Sequence, residues 1–543
     1  MAKTLILGNN PDKVWIKNLE LSIFAVPNIS TGRNADIVDF IKRLPTDLDC
    51  VVIDSDSLNF NNIELPLDIA LYIRMMLHVC LKTSLSKILI VSDLPIDSFM
   101  DFGVKSMILM TKGIVLSTDE YIDEAIEQSD ALTPIEYVDG FLNLIKVEPQ
   151  EKIEGRHSIA NEWGSEVLAK VITNGKASIG NKNTKDSLYF LYSTLTSLVA
   201  KDIENIIDSN CGDDYKGNTP VEQSLHYLLI DDEAKKGWQS VLEIMLPNAQ
   251  GTVFDGKITE YNQLPESIRN DLKHNKIDLI FLDLRMNGVE EESISMPDEF
   301  SGMRILKSIK SLNPGLQVIM LTATNKSWNL KALIDAGADG YYMKEAPEYH
   351  FPISYSEQNY ATLKTEIGKC LQKGFLKDVY RRIEKIDLPS SFSDLERLIK
   401  NQLLLSFDLI KKANAATEYS FAYIALEQVF EFVAESLYAE EGSGNEWRCY
   451  LLDSDGIQHE YNIRDLRKYF YIGNVPTATP MWIKIASIYY GLFKGSDSEF
   501  AKNVQSDIKL RNDYIHDNEK PVITLDDYQN LFDSVIDLIS VFQ

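Results

Sequence analysis

Four apolar runs in the middle of the 543-residue chain each end in residues that carry a charge or a hydroxyl group. They read HYLLIDDE from His226, KIDLIFLDLRMNG from Lys276, LQVIMLTAT from Leu316 and ADGYYMKE from Ala338. Helical segments separate the runs, and this alternation predicts a parallel sheet. Because the carboxyl ends of parallel strands meet at one edge of an open sheet, we expect the end groups of all four runs to lie in one pocket.

The acids at two of these ends predict a magnesium site. Asp231 and Asp232 close the first run, and Asp283 closes the second. Clustered carboxylates repel one another unless a cation lies between them, and hard oxygen ligands suit Mg²⁺. We expect Asp232 and Asp283 to bind the ion directly and Asp231 to bind it through water. The backbone carbonyl of Arg285 completes the predicted coordination shell.

The same pocket is suited to accepting a phosphoryl group. A carboxylate can accept one as an aspartyl phosphate, which makes Asp283 the predicted nucleophile. Thr322, at the end of the third run, is expected to hydrogen-bond a phosphoryl oxygen. Lys344, at the end of the fourth run, is expected to neutralise another oxygen as a point charge. The cation and Lys344 together would offset the charge that develops during transfer.

Residues 226–347 resemble the receiver domain of bacterial two-component response regulators. The resemblance rests on LLIDDE, LIFLDLRM, VIMLTAT and ALIDAGADGYYMKE in this order, and it covers under a quarter of the chain. It implies bound Mg²⁺, a partner histidine kinase as phosphodonor, and a switch that couples phosphorylation to Thr322 and Tyr341. Asn287 and Glu345 stand where the family usually has prolines. The long acidic loop from Gly288 to Gly302 is either a solvated insertion or an element that selects the kinase or slows phosphate loss.

Composition narrows the classes of function. The net charge of −27 argues against wrapping duplex DNA, which proteins bind mainly through Lys and Arg contacts to phosphates. The sequence has no evident helix-turn-helix or basic tail, so we expect no DNA-binding output. We also expect a cytoplasmic protein without a membrane partner, because no apolar run reaches the length of a membrane span and no signal sequence is evident. The five cysteines show no metal-binding or redox spacing.

The N-terminal segment repeats the pattern in a degenerate form. LILGNNPDKVWIKNLE from Leu5 matches LLIDDEAKKGWQSVLE from Leu228, with Gly8, Asn9 and Asn10 in the places of the acidic cluster. Later runs are predicted to end at Asp54, Ser92 and Lys112. Without the acid pair a Mg²⁺ site should be weak, so we interpret the segment as a pseudo-receiver used for packing or dimerisation. The alternative is a working acceptor at Asp54 helped by Asp56.

The region between the two repeats is predicted to be mainly helical. SIANEWGSEVLAKVI and KDSLYFLYSTLTSLVAKDIENIID have apolar residues at helical spacing, and NCGDDYKGNTPVEQS is typical of a linker. His157 opens the first helix, with Asn161 one turn on. This histidine is either a phosphoryl relay site or a residue that caps or packs a helical hairpin. The sequence lacks an ATP-binding glycine-rich segment, so autophosphorylation is not expected.

The C-terminal segment is predicted to be a helical domain, interrupted by a hairpin that turns at Asp455-Gly456. Within it, IKLRNDYIHDNEKP resembles the Arg-x4-His motif of HEPN domains, helical bundles that include ribonucleases and non-catalytic binding modules. In the nuclease members, the resemblance implies that Arg511 stabilises charge on the scissile phosphate and that His516 is a general acid or base. Asn512 lies one turn from His516. Alternatively, these residues pair with neighbouring acids, and the domain binds or dimerises.

The predicted fold class is α/β plus all-α. It comprises two doubly wound, flavodoxin-like receiver domains (1–125 and 223–375), a helical linker domain (126–222) and a C-terminal helical domain, HEPN-like (376–543). The predicted function is a response regulator that accepts a phosphoryl group on Asp283. The receiver itself is expected to catalyse at most the removal of this group, and ribonuclease activity of the C-terminal domain is left open.

Three roles for this phosphorylation remain open. The chain is a phosphate sink, resembling the receiver proteins of the antiphage two-component systems called Detocs, or a scaffold that changes its oligomeric state, for example as a homodimer. The third role is a phosphorylation-controlled HEPN-type ribonuclease, with RNA as its target. We rank the sink or binding roles above the nuclease. Another receiver protein of the same system is a further expected partner.

Overall fold

The structure is a computed structural model that describes the chain in ranges separated by gaps. These ranges are residues 3–8, 22–24, 34–58, 63–148, 156–180, 182–196, 198–209, 219–287, 291, 294, 296–323, 327–349, 351–442, 446–471, 479–493, 499–516 and 521–542. Within them, every helix is too short or too polar to span a membrane. The chain divides into two compact units. The first contains Met1–Glu266, Leu279–Lys307 and Val318–Gly368, and the second contains Ser267–Asp278, Ser308–Gln317 and Lys369–Gln543.

The first unit begins with a parallel sheet, called here the N-terminal sheet. Its strands are β1 (Thr4–Leu7), β2 (Ser22–Phe24), β3 (Cys50–Asp54), β4 (Lys87–Val91) and β5 (Ile114–Ser117), in the order β2-β1-β3-β4-β5. All five residues of β3 are buried, as expected for a parallel sheet that is covered on both faces. The helices of this region are α1 (Asn34–Ile41), α2 (Ser55–Leu58), α3 (Glu64–Met75), α4 (Leu77–Cys80) and α5 (Val104–Met107).

A mainly helical stretch follows the N-terminal sheet, as predicted. It contains α6 (Ile122–Gln128), α7 (Pro134–Glu136), a π-helical turn (Tyr137–Leu142), α8 (Arg156–Thr173), α9 (Lys182–Lys185), α10 (Leu188–Thr196) and α11 (Ala200–Ser209). Leu195 of α10 and Ile203 of α11 share one apolar core with α3. These two helices therefore pack on the helical layer of the N-terminal sheet. Residues 210–218 of the predicted linker lie outside the described ranges.

A second parallel sheet, called here the central sheet, has the same strand order. Its strands are β6 (His226–Asp231), β7 (Gln250–Asp255), β8 (Leu279–Asp283), β9 (Val318–Thr322) and β10 (Gly340–Met343), in the order β10-β9-β8-β6-β7. Counted within each region, both sheets have the flavodoxin-like order 2-1-3-4-5, whose ligands bind outside the carboxyl ends of the strands. The helices here are α12 (Trp238–Met245), α13 (Glu266–Lys273), α14 (Ser301–Leu312), α15 (Ser327–Asp335) and α16 (Ile353–Gln372).

The second unit is built mainly from helices that share one apolar core. They are α17 (Leu376–Glu384), α18 (Ser393–Lys412), α19 (Ala416–Leu437), α20 (Ile463–Leu466), α21 (Met481–Phe493), α22 (Glu499–His516) and α23 (Leu525–Ser540). The last helix begins with a capping box, in which Thr524 and Asp527 satisfy each other's backbone N–H groups.

The predicted hairpin of the second unit is confirmed. Its strands β12 (Arg448–Leu452) and β13 (Gln458–Asn462) pair antiparallel, and Gly456 makes the turn with φ of +76°. Such a positive φ favours glycine because other residues meet steric resistance there. A third strand, β11 (Tyr438–Glu441), pairs with β12 and was not anticipated from the sequence.

One predicted strand end in the N-terminal region is wrong. The run SMILMTKG was expected to be a strand that ends at Lys112, but Ile108–Met110 is a 3-10 turn and β5 begins only at Ile114. A short apolar run fits a buried helical turn as well as a strand, so its pattern alone could not separate the two. Lys112 is exposed, and its ammonium group lies 2.6 Å from a carboxylate oxygen of Glu136.

Candidate functional site

Three carboxylates meet at the carboxyl edge of the central sheet. Asp231 ends β6, Asp283 ends β8, and Asp232 directly follows Asp231. One carboxylate oxygen of each residue lies within 4.8 Å of those of the other two. Asp231 and Asp283 are buried, whereas Asp232 is half-buried. The structure thus brings together the three acids that the sequence analysis placed in one pocket.

This group of acids fits a divalent cation. Carboxylate oxygens are the hard ligands that Mg²⁺ prefers, and acids this close repel one another unless positive charge lies near them. Arg285 stands two residues after Asp283, and its guanidinium carbon lies 5.4 Å from the ring centroid of Phe300. Its side chain therefore lies beside an aromatic ring, and the role of its backbone carbonyl stays a prediction.

Lys344 places a positive charge beside the acids. Its Nζ donates a hydrogen bond to Asp231 Oδ2 at 2.8 Å and lies 3.2 Å from Asp283 Oδ1. Its backbone N–H donates to the carbonyl of Thr322 at 2.7 Å, which holds the residue at the edge of the sheet. Burial lowers the pKa of Lys344, but the carboxylates of Asp231 and Asp283 raise it by more. The net pKa is above the usual value, so the side chain stays charged.

Backbone N–H groups orient two of the carboxylates. Asp231 Oδ1 accepts a hydrogen bond from the backbone N–H of Glu233 at 2.8 Å. Asp283 Oδ1 accepts one from its neighbour Leu284 at 2.9 Å. Each acid is therefore held by the loop that follows its own strand, and this local arrangement depends on the strand ending where it does.

The predicted hydroxyl and aromatic residues lie on the two strands beyond β8. Thr322 ends β9 and is buried. Tyr341 is the second residue of β10 and is 40% exposed, so its ring lies at the surface. The pairing register sets Thr322 opposite Met343, the residue before Lys344. Thr322 and Lys344 therefore stand at the same edge of the sheet as the acids.

One residue of this site was not found from the sequence. Asn161, on α8, accepts hydrogen bonds at Oδ1 from Lys344 Nζ at 2.8 Å and from Trp238 Nε1 at 3.2 Å. Its Nδ2 donates to Glu233 Oε2 at 3.0 Å. In the sequence, Asn161 stands out only as a neighbour of His157. Its sole local signal was a polar residue in the helix, and the contact with Lys344 spans 183 positions of the chain.

Glu345, which stands at a position where receivers usually have proline, is buried beside the site. It accepts hydrogen bonds from Ser356 at 2.6 Å and from Asn359 at 3.2 Å, both on α16. Burial raises its pKa, although these two hydrogen bonds act in the opposite direction. Glu345 thus ties the end of β10 to α16.

The acidic loop after Asn287 contributes at least one structural residue. Glu291 is buried, and its carboxylate accepts hydrogen bonds from the backbone N–H and the hydroxyl of Ser301 at 2.8 and 3.0 Å. Ser301 is the first residue of α14, so Glu291 satisfies donors at the start of this helix. Part of the loop is therefore an ordered support for a helix and is not a solvated insertion. The rest of the loop lies mainly outside the described residues.

At the equivalent edge of the N-terminal sheet, Asp54 ends β3 and is buried. Ser92 directly follows β4 and donates a hydrogen bond to Asp56 at 2.9 Å. Asn9, Asn10 and the side chain of His157 lie outside the described part of the structure.

The C-terminal motif lies on α22. Arg511 lies 3.7 Å from carboxylate oxygens of both Glu427 and Glu431, and it donates a hydrogen bond to Asn512 at 3.0 Å. His516 is the last residue of α22 and is exposed. Arg511 and Asn512, but not His516, are among the residues that line a cavity of about 480 Å³, together with both glutamates.

The geometry of the central sheet agrees with a comparison of the sequence with protein families. Residues 229–351 match the response regulator receiver domain. The match begins within β6, includes Asp283 and Lys344, and ends just before α16. We therefore refer to the central sheet with its helices as the receiver domain.

Several known proteins are similar to parts of this chain. The nitrate/nitrite response regulator protein NarP of Escherichia coli (strain K12) is 39% identical over 70 residues, which are 13% of this chain and 27% of NarP. A CheY-like receiver domain protein of Methanospirillum hungatei JF-1 is 19% identical, with 27% of this chain and 99% of that chain covered and a TM-score of 0.18. NtrX of Brucella abortus is 17% identical, with 33% and 34% covered and a TM-score of 0.20. This chain thus spans about a quarter of NarP and about a third of NtrX.

Proposed function

We propose that the receiver domain accepts a phosphoryl group on Asp283 from a partner histidine kinase. The observation that carries this proposal is the buried contact of Lys344 with Asp231 and Asp283 at the ends of β6 and β8. A carboxylate nucleophile, further acids for a metal and a fixed ammonium group are the parts that phosphoryl transfer to an aspartate requires. The match to the receiver family supports the same reaction class.

The transfer needs no redox partner. An oxygen of Asp283 forms a bond to phosphorus while the phosphorus–nitrogen bond of the donor's phosphohistidine breaks, and the ring nitrogen keeps the electron pair. Lys344 lies 3.2 Å from Asp283 and can donate to an oxygen of the phosphoryl group after transfer. Thr322, at the same edge of the sheet, would hydrogen-bond a second oxygen.

Mg²⁺ is the cofactor that suits this site. Asp232 and Asp283 would hold it directly, Asp231 would hold it through water, and the backbone carbonyl of Arg285 would complete the set. Bound there, Mg²⁺ neutralises charge on the phosphoryl oxygens during transfer. The support for this assignment is the three carboxylate oxygens within 4.8 Å of one another.

For the whole chain, we propose a signalling role without DNA-binding output, either as a phosphate sink or as a phosphorylation-switched binding protein. The net charge of −27 disfavours duplex DNA. We propose that the N-terminal region is a degenerate receiver used for packing or dimerisation. Its strand order, which equals that of the receiver domain, supports this assignment. A role in antiphage defence rests on the resemblance to Detocs-type systems alone.

The ribonuclease alternative has weaker support in the second unit. Arg511 is held between Glu427 and Glu431, and two carboxylates beside it would repel the phosphates of RNA. We therefore propose that the HEPN-like segment binds or dimerises. Overexpression tests the choice: a nuclease predicts growth arrest that is lost in Arg511→Ala and His516→Ala, whereas a sink or binding module predicts normal growth with all three proteins.

Incubation of the full-length protein with acetyl phosphate and Mg²⁺ tests the main proposal, with intact-mass spectrometry as the readout. We expect wild type to gain one phosphoryl group and Asp283→Asn to gain none. Chelation of the metal with EDTA should prevent the reaction. Modification of Asp283→Asn to the wild-type level would overturn the assignment of Asp283.

A further inference from the structure

Asn161 is a residue of the phospho-acceptor site that comes from outside the receiver domain. It lies on α8 and is 1% exposed. Its side-chain amide makes three hydrogen bonds with the receiver domain, to Lys344, Trp238 and Glu233. A buried amide whose donor and acceptor sides are both engaged is costly to rearrange unless a replacement partner arrives.

The contact with Lys344 completes the set of partners of this ammonium group. An ammonium group has three N–H donors. Asp231 Oδ2 at 2.8 Å, Asp283 Oδ1 at 3.2 Å and Asn161 Oδ1 at 2.8 Å are three acceptors around it. A phosphoryl oxygen that approaches Lys344 must therefore replace one of them. Asp283 is the residue that becomes modified. Of the two partners that keep their chemical form, Asn161 is neutral and Asp231 is charged, and hydrogen bonds between two charged groups are the stronger ones.

The backbone of α8 approaches the receiver domain closely at two further points. A Cβ atom at Gly164 would lie 2.8 Å from the backbone oxygen of Glu345, so only glycine fits without a shift. A Cβ atom at Gly237, where φ is +126°, would lie 2.0 Å from Ser165 Oγ. Asn161, Gly164 and Ser165 lie on one face of the helix, because residues three and four apart are neighbours there. This face of α8 is thus fitted to the region around Lys344.

We propose that Asn161 is a positioning residue that holds Lys344 while Asp283 is unmodified, and that phosphorylation of Asp283 displaces it and releases α8. This inference rests on the proposed function. With acetyl phosphate as donor, Asp283 forms the new bond to phosphorus, the bond to the acetate oxygen breaks, and acetate leaves with the electron pair. An oxygen of the transferred group then takes the place of Asn161 Oδ1 on Lys344.

Release of α8 also has a consequence for the rate. Asn161 Oδ1 occupies one donor of Lys344, so this donor is available to an incoming phosphoryl oxygen only in the fraction of molecules in which Asn161 has left Lys344. The apparent rate of phosphorylation falls in proportion to that fraction. Weakening the contact of α8 should therefore speed phosphorylation. At equilibrium, a contact that phosphorylation weakens in turn disfavours the phosphorylated form by the same free energy.

Two substitutions weaken this contact by different means. Asn161→Ala removes the amide, and Gly164→Ala adds a Cβ atom against the backbone of Glu345 without touching Lys344. Loss of one or two hydrogen bonds to charged groups corresponds to an increase of about tenfold in the rate of modification by acetyl phosphate and Mg²⁺. Lys170→Ala, at a partly exposed position in the last turn of α8, is the matched control and should keep the wild-type rate.

Hydrogen exchange of the α8 amides is the second readout, because a purely structural role of Asn161 would not make it depend on phosphorylation. With beryllofluoride and Mg²⁺ as the phosphoryl mimic, α8 should exchange faster in the wild-type protein and be unchanged in Asp283→Asn. Equal modification rates in all variants, or an α8 that stays protected when Asp283 is fully modified, would overturn this inference and leave the proposed function standing. Failure of every variant to accept a phosphoryl group would overturn both.

Discussion

The N-terminal sheet and the central sheet have the same strand order but different charged residues at their carboxyl edges. In each sheet the third strand along the chain ends in a buried aspartate, Asp54 or Asp283. The neighbouring strand brings Asp231 beside Asp283, whereas Gly8 stands at the matching position beside Asp54. A Cβ atom at Gly8 would lie 2.9 Å from Asp54 Cβ, so this place has no room for a second acid.

The strand register extends this comparison to the cation. The residues paired across the last three strands are Asp283, Leu321 and Tyr342 in the central sheet and Asp54, Val91 and Ser117 in the N-terminal sheet. Two residues after the last of these stand Lys344 in one sheet and Asp119 in the other. An acid thus occupies the position of the cation that would offset phosphoryl charge. The doubly wound scaffold sets where groups stand, and a few residues at the strand ends decide whether the site can accept phosphate.

The largest expected difference is between the phosphorylation of Asp283→Asn and that of Asp54→Asn. Asp283→Asn should abolish modification by acetyl phosphate and Mg²⁺. Asp54→Asn should leave it at the wild-type level, because Gly8 stands in the place of Asp231 and Asp119 in the place of Lys344. Phosphopeptide mapping of the wild-type protein provides the direct check. A phosphorylated Asp54 would contradict the comparison, since it would show that an acceptor needs neither the acid that Gly8 replaces nor a lysine at the position of Lys344.

Substitution of Lys344 and substitution of Lys112 should have different effects on stability. Lys344→Met leaves two buried carboxylates without their cation and should lower the free energy of unfolding by about 3 kcal/mol, as well as slow phosphorylation. Lys112→Met removes only an exposed ion pair and should leave stability unchanged within error. Urea unfolding monitored by tryptophan fluorescence measures both. Equal stability of the two variants would contradict the role of Lys344 in compensating the buried acids.

A steric test follows from Gly8. Gly8→Ala should destabilise the N-terminal region by about 2 kcal/mol, because the added Cβ atom would lie within 3.0 Å of both Ser57 Oγ and Asp54 Cβ. Gly140→Ala is the control, since its Cβ atom would have no neighbour within 4 Å. Gly8→Asp should likewise destabilise and should not create Mg²⁺ binding. Thermal unfolding and metal titration give the two readouts, and a stable Gly8→Asp protein that binds Mg²⁺ at this edge would refute the steric argument.

The smallest expected effect concerns Asp507, a buried acid whose carboxylate accepts a hydrogen bond from a serine hydroxyl. Burial raises the pKa of Asp507 to about 6, although a hydrogen bond from Ser534 at 2.8 Å acts in the opposite direction and nearby Asp527 adds to the rise. The native state therefore binds the proton more tightly than the unfolded state. The resulting stability is present below about pH 4 and is lost as the pH rises through about 6.

Between pH 5 and 7 this loss should amount to about 1 kcal/mol in the second unit. Asp507→Asn should reduce this part of the pH dependence, and denaturant unfolding of both proteins at several pH values measures the difference. The same slope in wild type and variant would show that Asp507 does not titrate in this range.

The receiver site was largely predictable because its parts are local. Each of Asp231, Asp283, Thr322 and Lys344 ends an apolar run or directly follows one, and a general rule of parallel sheets brings such ends together. The prediction for Lys112 was wrong because a short apolar run does not distinguish a strand from a helical turn. In that region the pairing register of the strands determines which residue lies at the carboxyl edge of the sheet, and this register cannot be read from the sequence.

The Arg511 motif in the second unit shows another limit of prediction from the sequence. The spacing of Arg511, Asn512 and His516 predicted that they share a helix, and they lie on α22. The acids that hold Arg511 come from α19, more than seventy positions earlier in the chain. Acid partners of Arg511 were predicted, but among the acids next to it in the sequence and not on α19.

The sequence by itself determined that strands and helices alternate in the middle of the chain and that acids, a hydroxyl group and a lysine close the strands. Periodicity and the ends of apolar runs depend on residues that are close together in the sequence, so they can be recognised without the structure. Only the tertiary structure decided that Asn161 of α8 is a third partner of Lys344 and that Gly8 leaves no space beside Asp54. Such contacts depend on how distant elements pack and on distances of a few tenths of an ångström, and no local pattern records them.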